Sequence, residues 1–454
     1  MKQFIAQLIL DYLRFFAKLQ LKKNPQAKIV GITGSAGKTS AKQAVIAALG
    51  NNQNQLKLKF GHKANSESGI PLEILGLEVK DYSILDWSRL LILAPIQLLT
   101  NWEKFDYYIV EMGIDSPHEP KNMSYLLKII QPQIGVFLNA SAIHSQMFDE
   151  LITETNPKKR QTQAIDLIAA EKGKLLTSLA KSGSAIFNAD DQRVKNIAQT
   201  SPAKKISFGQ AKNVQLRLTA WSISLAGSSF DFVFKKKTIK LKFPGLVLGQ
   251  HYAPALSTAI LVALEAGLSL EQIKANLEKH FQLAAGRSSL IAGTKGSYLL
   301  DSSYNGSGMI EMIQLAGQLE KIDQKVKRCI AILGDMRELG QEAAQQHQAV
   351  AKLAAKTFDL VYLVGPEMKE HALPILQQAA KNKKQRLQTV DIFIDSATAG
   401  RKLVTEIKKG DLVLLKGSQN TIFIEKATEI LMAKPHQAKK LLCRQSDWWL
   451  KVKK

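Results

Sequence analysis

Residues 28–33 (KIVGIT) form a largely apolar run that ends in a glycine-rich turn, and residues 40–49 continue beyond it with helical spacing. An apolar run bounded by turn residues predicts a buried strand, so this stretch reads as strand, turn and helix in succession. Residues 106–111 (DYYIVE) and 133–139 (QIGVFLN) predict further buried strands, 185–188 and 205–208 shorter ones, and 164–179 a helix. Strands alternating with helices predict a mostly parallel sheet with covering helices. The period changes over 214–243, where VQLRLTAW and FDFVFKKKTIKLKF alternate apolar and polar positions, as an antiparallel excursion does. An apolar helix follows at 256–266. A second series then begins, with strands at 298–301, 328–333, 360–364 and 412–415 and an intervening helix at 343–355. The fold class expected is α/β: a P-loop, doubly wound, mostly parallel central domain over 28–285, followed by a second Rossmann-like α/β domain over 286–454.

Residues 1–27 carry a different pattern. Phe4, Leu8, Tyr12, Phe15 and Leu19 recur at helical spacing between basic ends, which predicts an amphipathic helix. A second apolar stretch, SRLLILAPIQLL, covers 88–99. Either could rest on a membrane surface, although packing on the protein itself is the commoner use of such helices. Neither reaches the roughly 18 uninterrupted apolar residues of a membrane span, and the start lacks the small-residue cleavage site of a signal peptide.

Composition narrows the function. Two cysteines in 454 residues argue against a disulfide framework or a cysteine metal site and fit a reducing, cytoplasmic setting. The formal net charge of +23 favours an anionic partner. The lysines are spread along the chain without interleaved aromatics, so a nucleic-acid partner is not expected.

GITGSAGKTS, residues 31–40, lies between the first strand and its helix, the context that a phosphate-binding loop requires. Gly34 and Gly37 let backbone N–H groups turn toward phosphate oxygens, with Ser35 and Ser40 beside them, and the helix adds its positive end. Lys38 would reach the outer phosphates of ATP and Thr39 would sit on Mg²⁺. Ile32 stands where the general pattern wants glycine; Gly31 precedes it. Glu111 closes the strand DYYIVE, where a carboxylate lies beside the phosphate loop of a doubly wound sheet and can hold Mg²⁺. His144 follows Asn139, the end of the next strand; alone it reads as a loop histidine.

These segments together resemble the Mur ligase family. The loop Gly-Ile-Thr-Gly-Ser-x-Gly-Lys-Thr-Ser is similar to that family's nucleotide loop, and YIVEMG and FLNASAIH are similar to its magnesium-holding motifs, which implies metal roles for Glu111 and His144. AAEKGKLL is similar to the segment whose lysine is carboxylated to a carbamate that binds metal, which implies that role for Lys172; Lys174 stands where the family has Glu. The chemistry needs a neutral amine, hence a depressed lysine pKa. With Thr39, Glu111, His144 and Lys172, two magnesium sites are implied. DSSYNGSG, residues 301–308, RCIAILGDMRELG with the downstream His347, and LLKGSQN resemble motifs of the family's last domain, the second most like the branch that adds D-alanyl-D-alanine. The resemblance implies nucleotide contacts for Asp301, Tyr304, Asn305 and Arg287, the last at the junction GR, where an arginine clamps phosphate when domains close. It implies substrate contacts for Asp335, Glu338, His347 and Lys416, and, from HKANSESGIPLEIL, for Asn65 and Glu67.

Two departures bear on substrate. About 28 residues precede the first strand, too few for the separate domain in which the family holds a UDP-sugar, so that end of the substrate would be held differently or by a partner. In GQHYAPAL, Tyr252 and Ala255 replace asparagines that contact nucleotide, and Tyr252 offers a ring for stacking on a base. The implied activity is ATP-dependent amide-bond formation through an acyl phosphate, joining D-Ala-D-Ala to UDP-MurNAc-tripeptide, with Lys38, Lys172, His144 and Arg287 as catalytic residues. The alternatives are a related ligase with another acceptor, of the folylpolyglutamate or peptide-extending kind, and a non-catalytic nucleotide-binding scaffold at the membrane.

Overall fold

The structure, a computed structural model, describes residues 2–50, 56–61, 65–81, 83–142, 146–382, 385–418 and 421–453, with side chains from Ile5 onward. It has the expected α/β class and divides into two compact units. Met1–Thr219, Asp231–Ile239 and Ala253–Phe281 form the first; Ala220–Phe230, Lys240–Tyr252 and Gln282–Lys454 form the second.

The first unit is organised by strands whose side chains are buried on both faces, which is why their sequences read as apolar runs rather than alternations. β1 (Lys28–Thr33) lies at the centre, between β3 (Tyr107–Glu111) and β4 (Ile134–Phe137); β2 (Leu58–Phe60) pairs outside β3, and β5 (Ser184–Asn188) and β6 (Lys204–Gly209) extend the other side. All these pairings are parallel, so the carboxyl ends of β3, β1 and β4 stand side by side: Ile32 is opposite Glu111, and Thr33 opposite Phe137. The order 2-3-1-4-5-6 places a topological switch beside β1, where doubly wound sheets bind ligands. The alternating segment forms β7 (Leu216–Ser224), β8 (Gly227–Phe234) and β9 (Lys237–Pro244), neighbours joined by two-residue turns. Lys235 and Lys236 have φ of 46° and 68°, the left-handed values that suit a hairpin's right-handed twist.

Helix α1 spans Lys2–Leu21, α2 Lys38–Leu49, α3 Gly69–Leu75, α4 Ile84–Thr100, α5 Met123–Ile129 and α6 Pro157–Thr177. The last begins earlier than its apolar pattern indicates, because Asn156 accepts hydrogen bonds from the N–H groups of Lys158 and Lys159 and Pro157 takes the first position. The stripe expected to define α1 is not its buried face. Leu10, Leu13 and Ala17 pack against the first unit, whereas Leu8, Tyr12 and Phe15 are exposed; the side chain of Phe4 lies outside the described residues. Leu13 joins Leu72, Leu75, Leu90 and Ala94 of α3 and α4 in one core cluster.

The second unit has the order β10-β11-β15-β12-β13-β14: β10 (Ser289–Ala292), β11 (Tyr298–Ser302), β12 (Arg328–Gly334), β13 (Leu360–Val364), β14 (Thr389–Phe393) and β15 (Asp411–Lys416). Only β10 runs antiparallel, at an edge. No apolar run predicts β2, β10 or β14; all three are short or partly exposed edge strands.

Because Leu13 is fully buried and Leu8 is not, Leu13→Ala is expected to cost about 2–4 kcal/mol in urea denaturation of the first unit, and Leu8→Ala less than about 0.5 kcal/mol. Equal losses would return α1 to the orientation its sequence stripe indicates.

Candidate active site

The turn after β1 is held from outside. Asn139, just beyond β4, accepts from Ser35 N through its carbonyl at 3.0 Å, accepts from Ala36 N through Oδ1 at 2.8 Å and donates from Nδ2 to Ala36 O at 3.1 Å. Ser35 Oγ accepts from Ser141 N at 2.9 Å and donates to Ser141 O at 3.2 Å. Gly37 takes φ 84°, a left-handed conformation open to glycine, at the N-cap of α2, and no side chain caps that helix. A fixed turn feeding a helix start without a side-chain cap presents backbone N–H groups to an anion. Lys38 Nζ donates to Gly34 O at 2.7 Å, which keeps the ammonium beside the loop.

Thr39 and Glu111, both expected at magnesium, are brought together: Thr39 Oγ1 donates to Glu111 Oε2 at 3.0 Å. Lys42, one helical turn beyond Lys38, pairs with Glu111 Oε1 at 2.8 Å and donates to Gly61 O at 2.7 Å. Lys42 was not recognised in the sequence, although its spacing places it on the Lys38 face of α2. Glu73 of α3 lies near the same ammonium, and burial raises its carboxyl to about 7 against the pull of Lys42. A magnesium ion shared with nucleotide phosphates needs only one or two protein oxygens. A hydroxyl that gives its proton to a carboxylate is a good oxygen donor to a hard cation, so Thr39 and Glu111 fit that need. Among the described residues no three His, Cys, Asp or Glu side chains form a metal cluster by themselves.

Lys172 lies on α6 and is buried, 4% exposed. Burial holds its amine well below the ordinary lysine range; the nearby Lys38 ammonium acts in the same direction, and Asp115 and Glu171 oppose both. Glu171 is engaged elsewhere, accepting from Met123 N at 2.9 Å and pairing with Lys174 at 2.5 Å. Asn65 is exposed beside the site, its carbonyl accepting from Gly113 N at 2.9 Å, and Glu67 is half-buried in the turn before α3. His144 lies outside the described residues. Ser40 is buried in the first turn of α2.

In the second unit, the carboxyl ends of β11, β15 and β12 gather the remaining residues, with Lys416 opposite both Ser302 and Leu333. Lys416 is 1% exposed and donates to Asn305 O at 2.6 Å and Ser302 O at 3.4 Å, so it pins the loop after β11. Burial, then the neighbouring Arg287 guanidinium, lowers its amine to about 7, against the pull of Glu311 and Asp301. The Arg287 guanidinium lies over the Tyr304 ring, 4.3 Å from its centroid. Tyr252 is buried and donates its hydroxyl to Arg287 O at 3.2 Å, which supports the arginine's backbone instead of offering a stacking face. Arg444, unnoticed in the sequence, donates to Ser303 O at 2.8 Å and Tyr304 O at 2.7 Å and pairs with the buried Glu425.

Asp335, His347 and Asp301, expected at ligands, also sit below the surface. Asp335 accepts from Met368 N at 2.8 Å, and burial raises its carboxyl. His347 accepts from Met336 N through Nε2 at 3.0 Å and meets Ala343 O through Nδ1 at 2.7 Å, which assigns the proton to Nδ1; burial lowers its pKa. Both side chains therefore shape the loop after β12, while Glu338 of that loop is exposed, with φ 64°. Asp301 is fully buried; its Oδ1 accepts from Thr428 Oγ1 at 3.1 Å, and burial raises its carboxyl to about 6 against the hydrogen bonding of Ser303 and Thr428.

The last shift carries a sign. A carboxyl at about 6 when folded and 3.8 when unfolded binds more protons folded, so its contribution to stability is complete below pH 3.8 and is lost as pH rises through 6. Asp301→Asn is therefore expected to exceed the parent in stability at pH 7 by about 1–3 kcal/mol and to lose that gain near pH 4, measured by denaturation at both values. A gain that does not change with pH would exclude this cause.

The Mur ligase middle domain family model matches residues 32–263, and the model of the Mur ligase, glutamate ligase domain matches 286–419. The UDP-N-acetylmuramoyl-tripeptide–D-alanyl-D-alanine ligase of Mycobacterium tuberculosis is 26% identical over 405 residues, 86% of this chain and 70% of that one. The enzyme of the same name from Escherichia coli is 25% identical over 360 residues, 78% and 67%. Among solved structures, the MurF ligase of Thermotoga maritima in complex with ADP is similar with a TM-score of 0.71 at 19% identity, covering 93% of this chain and 83% of that one. MurF from Acinetobacter baumannii gives 0.71 at 21% identity, with 93% and 80% covered. The first family model alone spans more than half of the sequence, and the chain belongs to the Mur ligase family.

Proposed function

We propose that this protein is an ATP-dependent carbon–nitrogen ligase that joins D-alanyl-D-alanine to UDP-MurNAc-tripeptide in peptidoglycan precursor synthesis. The observation that carries the reading is the phosphate loop clamped by Asn139 beside the Thr39–Glu111 pair, in a chain of this family whose curated relatives bear that activity in their names. The segment 28–285 would be the ATP-binding domain and 286–454 the C-terminal domain.

In this reading the start of α2 and Lys38 hold the ATP phosphates. A carboxylate oxygen of the acceptor attacks the γ-phosphorus and ADP leaves. The amine of the dipeptide then attacks the acyl phosphate carbon, loses a proton and expels phosphate. Little covalent work falls to the protein, so its contribution is positioning and charge stabilisation. Magnesium, held by Thr39 and Glu111, would neutralise phosphate charge. The depressed Lys172 amine supports carbamate formation, in which the neutral nitrogen attacks CO₂ and releases a proton, giving an anion for a second metal site shared with His144. Asn65, Glu67 and Glu338 are assigned to the substrates directly. Asp335, His347 and Lys416 act through the loops they hold, and Arg287, Tyr304, Asn305 and Asp301 are assigned to the nucleotide side of the second unit.

The test is phosphate release from ATP and Mg²⁺ with UDP-MurNAc-tripeptide present and D-Ala-D-Ala added or withheld. Release that requires both, with a product heavier by the dipeptide, is expected, and Lys38→Ala should lower it by at least ~10²-fold. ATP binding with no response to either substrate would transfer the chain to another acceptor. ¹³C-bicarbonate should give a carbamate resonance that Lys172→Arg abolishes; an unchanged resonance would remove Lys172 from the metal site.

A further inference from the structure

We propose that α1 and α4 form one surface that seats the protein on an anionic lipid bilayer. Each helix is apolar on two sides. The buried sides, Leu10, Leu13 and Ala17 of α1 and Leu90 and Ala94 of α4, are used inside the first unit. The opposite sides expose Leu8 (54%) and Phe15 (57%), Ile92 (66%) and Leu99 (73%), with Trp102 (64%) just beyond α4. The two stripes meet along a seam: Tyr12 donates its hydroxyl to Leu91 O at 3.1 Å. Lys23 reaches Leu98 O and, at 2.9 Å, Asn101 O, its ammonium 4.1 Å from the centre of the Trp102 ring.

Lipid is the occupant that the surrounding charges favour. The only charged residues in α4, Asp86 and Arg89, pair with each other at 2.6 Å, so its exposed stripe is uncharged. Asp11 is paired with Arg14 and Glu103 with Lys59, which leaves Lys18, Lys22 and Lys104 as surplus cations at one end of the patch. Aromatic and aliphatic side chains with lysines at the rim are the composition of an interfacial helix, whereas protein–protein interfaces are depleted in lysine. No described helix is long and apolar enough to cross a membrane, so the surface lies on the bilayer, apolar stripe inward and lysines at the headgroups. The formal net charge of +23 adds a long-range attraction to anionic lipid.

Flotation of the full chain with phosphatidylglycerol vesicles, and separately with phosphatidylcholine vesicles, tests this. The parent protein should float with the anionic vesicles, more weakly at high salt. Combined Leu8→Glu, Phe15→Glu, Ile92→Glu and Leu99→Glu should lower binding by at least ~10-fold. Lys18→Glu with Lys22→Glu, which leaves the apolar stripe intact, should weaken binding to phosphatidylglycerol and leave binding to phosphatidylcholine unchanged, and it serves as the readout if circular dichroism shows the apolar variant unfolded. The proposal fails if the parent stays unbound to phosphatidylglycerol vesicles, or if both variants float as it does. It also fails if the lipid-free protein is a dimer that the apolar variant converts to monomer, since the face would then belong to a second copy.

Discussion

A carboxylate buried at the end of a central strand is costly unless it is paired and hydrogen-bonded, and Glu111 is both. Thr39 and Lys42, three residues apart on one helix face, approach its two oxygens at 3.0 and 2.8 Å. That arrangement fixes the rotation of α2 about its axis and its height above the sheet. It thereby sets where Lys38 and the first N–H groups of the helix lie. Asn139 closes the same turn from the other neighbouring strand, so the glycine-rich turn is held between β3 and β4 by side chains that the parallel register alone brings together.

The second unit repeats the principle with the signs reversed. Here a buried cation, Lys416, is satisfied by two carbonyl oxygens of the loop after β11 and so shapes that loop. Arg444 does the same from beneath for Ser303 and Tyr304, with Glu425 neutralising it. In the second unit the exposed Tyr304, just beyond a strand end, is thus positioned by buried side chains. This explains why motif residues such as Asp335 and His347 are found below the surface.

The sequence made the fold legible where burial is two-sided. β1, β3, β13 and β15 read as apolar runs because both of their faces are covered, and the glycine turn after β1 reads as the break between strand and helix that the structure has there. It was least legible where two apolar faces compete. On α1 the period picked out Leu8, Tyr12 and Phe15, and nothing local says that Leu10, Leu13 and Ala17 are the docking face. Lys172 shows a different limit. Its burial depends on α6 packing in the first unit, which a run of mixed lysines and glycines does not encode. Asn139 and Lys42 are through-space partners of the loop and of Glu111, and only the assembled sheet brings them into place.

Thr39 and Glu111 are proposed to hold a magnesium ion together with nucleotide phosphate. Calorimetric titration of ATP with and without Mg²⁺, on the parent and on Glu111→Gln, measures this, because glutamine keeps one oxygen for Lys42 and an amide N–H to donate to Thr39 Oγ1 but carries no negative charge. The parent is expected to bind ATP more tightly with Mg²⁺, and the variant to keep its metal-free affinity and lose most of the increment. An equal Mg²⁺ increment in both proteins, or none in the parent, would contradict it.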